Sequence, residues 1–492
     1  MSIIKNRIIL FYFGLTRKRE TEDIHAISDS LDELLNLLKL LLYECDDTIE
    51  IEIYVSYFIL LYKLIAYTRD INDGKGEKDL AYIMIDIWYK HFPILAKNML
   101  ETIPEKYGSW KDLKYFCKYT KHEECIDYCI ELWNNQLEKD LEKDQNQDPD
   151  QSISYVSKWI PREKSAFGWL FEKSALEWQT RRYSPFPKKE YRHILSNLNR
   201  KINTPQIKET QGKWSEIIPQ QTSVTTRSKQ YHTFINTNRN ENRERTQCQS
   251  NFEYYFTLPK SEEEEEEEIY SNKSFHLGEY IKNPHFQNEK YWNEIKKDIL
   301  QHTNRQSPIY LLPIINISLS IQIIEDAIGI GCMISEISAM KNRIIVYNQQ
   351  ASCLNLTGLD LKTKIMKIKE RCIVEGKSNL LNAISFIQKT ETLNIIPVII
   401  SDFSTENNYV TPLLHSKMIY WNIGSKPPKP PKPQNQHIYV SGTSSSILKY
   451  IYQNIETIID SYSFINNLVN QPRYIKVEEF FQKRIMEEDT TN

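Results

Sequence analysis

Three short polar clusters carry residue types from which a ligand site can be built: Asn316-x-Ser318-x-Ser320, Gly376-Lys377-Ser378-Asn379 and Ser401-Asp402. The first follows the apolar run Ile309–Ile315, and the third directly follows Ile395–Ile400. Continuous apolar runs of this length suit strands buried on both faces of a parallel sheet. Polar residues just after them then fall at the strands' carboxyl ends, where open α/β sheets place their ligands. The plainer reading is a set of polar loops at strand ends, which would account for the serines equally. The second cluster is not a phosphate-binding loop, because Arg371 stands where the first glycine should be. Cys117, His122, Cys125 and Cys129 fit no standard zinc spacing, and Cys125 and Cys129 read as one face of a helix. No Ser/His/Asp or Cys/His arrangement stands out and the ten histidines are scattered, so no enzyme is expected.

A different chemistry is offered by residues 158–245, which hold 18 Lys/Arg against 8 Asp/Glu in a chain whose net charge is only −3. Aromatic side chains are interleaved there: Trp169, Phe171, Trp178, Tyr183, Tyr191 and Trp214. Lys and Arg supply salt-dependent attraction to phosphates, and aromatic rings stack on unpaired bases. The candidate RNA contacts are Arg69, Lys75, Lys78, Lys158, Arg162, Lys164, Arg181, Arg182, Lys188 and Lys189. An ordinary solvated face competes with this reading. Trp110 and Trp159 are expected in the core, and Gly74–Gly76 is expected to be a capped turn between helices.

These residues must be positioned by two kinds of element. Asp23–Cys45, Ile51–Arg69, the segment ending at His91, Lys111–Tyr119 and Glu123–Leu141 show apolar residues at helical spacing. Helix follows helix with short connections and no strict repeat, as in a degenerate helical array. Strands are expected over Ile309–Ile315, Arg343–Tyr347, Ile395–Ile400, Met418–Asn422 and His437–Val440. Helices are expected over Ile321–Ser338, Leu361–Glu370, Asn379–Gln388 and Ser444–Asp460. Such alternation predicts a doubly wound parallel sheet. Between the two parts lies a low-complexity stretch with seven consecutive glutamates, Glu262–Glu268, expected to be disordered. Lys426–Pro433 reads as an exposed polyproline II loop. The expected division is therefore 1–235 helical repeat, 236–275 acidic insert, 276–305 helical connection, 306–470 α/β domain and 471–492 tail.

The eight cysteines lie far apart in the chain, which favours a reducing compartment. Ile51–Tyr67 is the most apolar stretch, but it contains Glu52 and Lys63 and is too short to span a bilayer. Ile8–Leu15 follows Lys5 and Arg7 without a small-residue cleavage site after it. The expectation is a cytoplasmic, soluble monomer with no membrane contact.

The strand-end clusters resemble those of a von Willebrand factor A domain. That family binds a divalent cation through Asp-x-Ser-x-Ser, a Thr on a second loop and an Asp on a third. Ser318 and Ser320 match the serines, Ser378 takes the Thr position and Asp402 matches the last Asp, while Asn316 replaces the first Asp. The resemblance thus implies a degenerate Mg²⁺ site, weakened by the loss of one carboxylate. Ahead of it come Arg69-Asp70-Ile71, Gly74-Lys75-Gly76-Glu77, Tyr107-Gly108-x-Trp110-x-Asp112-Leu113 and Lys158-Trp159-x-Pro161-Arg162-Glu163. Met418–Asn422, the Pro-rich loop and Tyr439-Val-Ser-Gly442 follow. Over roughly residues 8–465 this order resembles the DUF2828 family, which is similar to the TROVE-plus-A-domain architecture of the Ro ribonucleoproteins. The resemblance implies a HEAT-like ring or arc holding RNA on a basic surface, and an A-like domain recruiting an unknown protein partner. The alternative is a protein-interaction scaffold without RNA.

Overall fold

The computed structural model describes residues 2–17, 21–146, 152–182, 185–202, 204–222, 226–227, 230–238, 241–257, 276–282, 289–301, 308–372, 378–390, 395–404, 417–424 and 436–489. The seven-glutamate run, the Pro-rich loop, Tyr183, Gly376 and Lys377 lie outside them. In chain order the helices begin with α1 (Ser2–Gly14), α2 (Thr21–Tyr43), α3 (Thr48–Arg69), α4 (Lys78–His91) and α5 (Pro93–Thr102). A π-helical turn over Ile103–Tyr107 precedes α6 (Lys111–Tyr119), α7 (Glu123–Asn146), α8 (Val156–Trp159), α9 (Gly168–Arg182) and α10 (Pro187–Ile202). Next come α11 (Pro205–Thr210), α12 (Tyr231–Phe234), α13 (Arg243–Thr257), α14 (Leu277–Lys282) and α15 (Glu289–Leu300). The last six are α16 (Ile321–Ile337), α17 (Leu361–Lys369), α18 (Leu380–Thr390), α19 (Ser445–Asn454), α20 (Ser461–Val469) and α21 (Ile475–Asp489).

The chain divides into two compact units, residues 1–95 with 273–492, and residues 96–272. The boundary expected at residue 235 is thereby displaced: α1–α4 belong with the sheet. The reason is a set of buried polar ties that amphipathic spacing does not display. Lys63 of α3 donates to Asn470 Oδ1 at 2.6 Å and to Glu478 Oε2 of α21 at 2.5 Å. Asp70, just past α3, receives Arg473 through two guanidinium nitrogens and the Tyr474 hydroxyl at 3.0 Å. An unpaired buried charge costs several kcal/mol, so these pairs fix which helices accompany the sheet.

That sheet has six strands: β1 (Leu311–Asn316), β2 (Arg343–Tyr347), β3 (Ala351–Asn355), β4 (Ile396–Ser401), β5 (Met418–Asn422) and β6 (His437–Ser441). Their order is β3-β2-β1-β4-β5-β6, with β3 antiparallel and the others parallel. Every residue of β1, β5 and β6 is buried, so both faces are covered there. Gly331 permits the close approach of α16, since a Cβ there would lie 2.5 Å from Ile315 Cδ1 of β1. Strand β3, Ala-Ser-Cys-Leu-Asn, was not expected from the sequence: it sits at the sheet edge, is only partly covered, and lacks an apolar run.

The second unit is helical among its described residues. Trp133, Leu137, Leu170, Phe171, Trp178, Tyr191 and Leu198 are buried along α7, α9 and α10. A buried amide organises them: Asn134 Nδ2 donates to Ser174 O at 3.1 Å, and Tyr191 donates its hydroxyl to Asn134 Oδ1 at 2.6 Å. Fully satisfied, such a network favours one packing of the three helices. The disorder expected over 236–275 is corrected for Arg243–Thr257, which form α13. Cys248 and Phe252, four residues apart, bury one face against Ile217 and Phe234, and the Phe234 and Phe252 rings stack at 4.4 Å. Among the described residues no helix is long and apolar enough to cross a membrane.

Candidate functional site

The sheet order reverses between β1 and β4, which makes their carboxyl ends the topological switch point. Asn316 and Ser401 end these strands and meet there, with Asn316 Nδ2 donating to Ser401 Oγ at 3.0 Å. Asn316 Oδ1 accepts from Ser318 N at 2.9 Å, which shapes the first loop. The Asp402 carboxylate accepts from Ser404 Oγ at 2.7 Å. Ser320 is exposed at the N-terminus of α16, without a side-chain capping bond. Ser378 is half-buried, and its neighbour Asn379 donates its N–H to Asn348 O just after β2. Asn316 and Ser401 thus meet where β1 and β4 end, and the described part of the second cluster is tied by Asn379 to the residue after β2.

That donor set does not suit a resident Mg²⁺ ion. Asp402 is the single carboxylate among the five matched positions, and a Ser404 hydroxyl already engages it. The buried Asn316 amide turns its nitrogen to Ser401 and commits its oxygen to a backbone N–H. Mg²⁺ sheds its waters reluctantly and takes hard, charged oxygen ligands, of which one remains. Among the described residues no group of three or more His, Cys, Asp or Glu could hold a metal ion.

The other half of the rim is filled by the chain itself. Asn422 Nδ2 of β5 donates to Phe13 O at 2.7 Å, and Ser441 Oγ of β6 donates to Tyr12 O at 2.5 Å. Lys75 Nζ donates to Leu15 O at 2.8 Å and to Ser441 Oγ at 2.6 Å, and stands 4.0 Å from the Tyr12 ring centroid. These bonds satisfy carbonyls that the carboxyl end of α1 leaves open. Two expected RNA contacts are corrected here: Lys75 has 0% of its surface exposed and Arg69 has 7%. Their segment is the turn between α3 and α4, with Gly76 at φ +69° and Glu77 accepting from Arg17 at 3.2 Å. Lys78 is exposed.

The remaining candidates lie in the helical unit and separate into two groups. Arg181 pairs with Glu177 at 2.6 Å and Glu138 at 3.5 Å, Arg182 pairs with Glu138 at 3.3 Å, and Lys188 pairs with Glu172 at 2.7 Å. These cations are largely matched on the surface, while Lys189 is exposed. Lys158, Arg162 and Lys164, by contrast, line a groove of about 840 Å³ together with Trp159, Arg192 and Arg200. Among the described residues five cationic side chains line it against one carboxylate, Glu163, which accepts from Arg192 at 2.6 Å. Lys158 bonds Gln206 Oε1 at 3.0 Å; burial pushes its pKa below the usual lysine value against the pull of Glu209, with a smaller push from Lys111. Trp110 and Trp159, expected in the core, are both half-buried.

Arg192 and Arg200 were missed by sequence reasoning, although a signal exists. Arg192, Ser196 and Arg200 recur every four residues on α10, the polar stripe of an amphipathic helix whose Tyr191, Leu195 and Leu198 are buried. Which partner that stripe faces is decided by the packing of α8 and α10. No protein-family model matches the chain, and no curated protein matches it.

Proposed function

We propose that this chain is a non-catalytic RNA-binding scaffold of Ro-like architecture, in which the helical unit binds RNA and the α/β unit serves protein contacts. One observation carries this reading: among the described residues, the groove beside α8 and α10 gathers five cations and one carboxylate in a chain that is acidic overall. Uncompensated positive charge in a concave site attracts a polyanion, and the groove's volume falls within the range of ordinary ligand pockets, roughly 300–1,000 Å³. The sheet supports the A-like assignment through its strand order and through the polar residues Asn316 and Ser401, which end β1 and β4 and meet at 3.0 Å. A single carboxylate, Asp402, among the five matched positions argues against metal chemistry and for a surface that contacts protein.

The test is fluorescence anisotropy with labelled single-stranded and structured RNA over a salt series. With about four phosphates neutralised, single-strand affinity falls about fifty-fold between roughly 50 and 200 mM salt. The triple variant Lys158→Gln/Arg162→Gln/Lys164→Gln weakens binding at least about tenfold and flattens the salt slope by about two to three units. Arg181→Gln/Arg182→Gln changes it less than about twofold, because those charges already face carboxylates. Absence of binding even at low salt removes RNA and leaves the protein-interaction scaffold.

A further inference from the structure

Trp159 is surrounded by three ammonium groups. Lys111 Nζ lies 5.1 Å from its ring centroid, Lys158 Nζ 5.4 Å and Lys114 Nζ 5.5 Å. Lys111 and Lys114 stand one turn apart on α6, and Lys158 comes from α8, so separate segments converge on one indole. Every pair of these ammoniums lies within about one Debye length, ~10 Å at 0.1 M salt, and they repel. The negative ring face offsets part of that repulsion. The Tyr115 ring extends the platform, with Lys114 4.9 Å and Lys111 5.2 Å from its centroid. Burial, and then the charge of Lys111, lowers the pKa of Lys114; burial lowers that of Lys158, with Glu209 opposing it and Lys111 adding to it.

This cluster adjoins the groove, because Lys158 and Trp159 belong to both. Resting on the RNA-binding reading above, we infer that Lys111, Lys114 and Lys158 around Trp159 form a subsite for the terminal phosphomonoester of a single-stranded RNA. Charge selects that group. A phosphomonoester carries about −1.5 to −2 at neutral pH and offers three acceptor oxygens at one point. An internal phosphodiester carries a single charge, and the next is one nucleotide further along. Three ammoniums within 5.5 Å of one ring centroid match the former, whereas the cations spread along the groove match the latter. Trp159 here holds the lysines together, and the strand lies along the groove beyond it.

The test compares one twelve-nucleotide RNA in three forms: 5′-phosphorylated, 3′-phosphorylated, and with hydroxyls at both ends. A phosphorylated form is expected to bind the full chain at least tenfold more tightly than the dihydroxyl form, and the form that does so identifies the end. Lys111→Gln/Lys114→Gln, outside the groove, erases the preference while dihydroxyl RNA still binds within about threefold of the unaltered chain. Lys114→Arg, which keeps the charge, retains the preference and guards against a fold defect. Equal affinity for all three forms, with steep salt dependence, overturns the phosphate subsite and leaves the groove reading intact. A preference that persists in Lys111→Gln/Lys114→Gln also overturns it. No binding of any form removes both.

Discussion

Replacing Lys75 with Met separates a structural lysine from a nucleic-acid contact. The side chain keeps its length and apolar stem but loses the ammonium that bonds Leu15 O and Ser441 Oγ and faces Tyr12. Hydrogen bonds from a charged donor contribute about 1.5–3 kcal/mol each, and a desolvated cation–π contact about 2 kcal/mol. Against these stands the ammonium's own desolvation, several kcal/mol, which the substitution relieves. Ser441 keeps its bond to Tyr12 O, but Leu15 O is left buried without this donor, a penalty of about 1–3 kcal/mol. The net expectation is a loss of about 2–4 kcal/mol from the unit that contains the sheet, a fall in its melting temperature of about 4–8 °C. Urea unfolding reads the first quantity, and anisotropy with labelled RNA reads the second consequence, which is unchanged affinity. A loss under about 0.5 kcal/mol would show that the ammonium is solvated and that the anchoring of α1 is misassigned. A folded variant that binds RNA about tenfold more weakly would return Lys75 to the nucleic-acid contacts.

Acid should unfold the same unit in a defined window. His276 is held neutral, its pKa lowered to about 3 by burial and next by the Arg17 charge, with Lys282 adding to Arg17 and Glu279 opposing both. The unfolded chain binds this proton near pH 6.5, so stability is present above that pH and is lost as pH falls toward 3, by at most about 4–5 kcal/mol. His276→Gln should flatten that part of a pH–stability profile; an unaltered profile would place the acid sensitivity elsewhere. At the strand rim, Asn316→Asp exchanges the amide bond to Ser401 for a buried carboxylate and should destabilise by about 2–4 kcal/mol in a chelator. About 5 mM Mg²⁺ should then recover part of the loss, with binding seen by calorimetry; no Mg²⁺ dependence would mean that the rim oxygens do not converge.

Elements with strong local signals were legible in the sequence. Strands β1, β4, β5 and β6 announce themselves through unbroken apolar runs, because a strand covered on both faces has no polar side to display. The strand-end polar residues were legible for the same reason, as was the turn at Gly74–Gly76. Helix α13 was not: Asn/Arg/Gln composition hid it, although Cys248 and Phe252, with nearby Tyr255, are enough to bury one face.

The division of labour among the lysines had no sequence signature at all. Lys75, Lys158 and Lys188 are the same residue type in similarly polar surroundings, yet one is buried against the end of α1, one lines a groove and one pairs with Glu172. Local spacing determines which segments become helix or strand, because those preferences act over one or two turns. Charge acts through space, and whether an ammonium meets a carbonyl, a carboxylate or open solvent depends on segments hundreds of residues away, as Ser441 is from Lys75. That assignment is made only when the chain closes on itself, and it is what converts a diffuse basic composition into one groove.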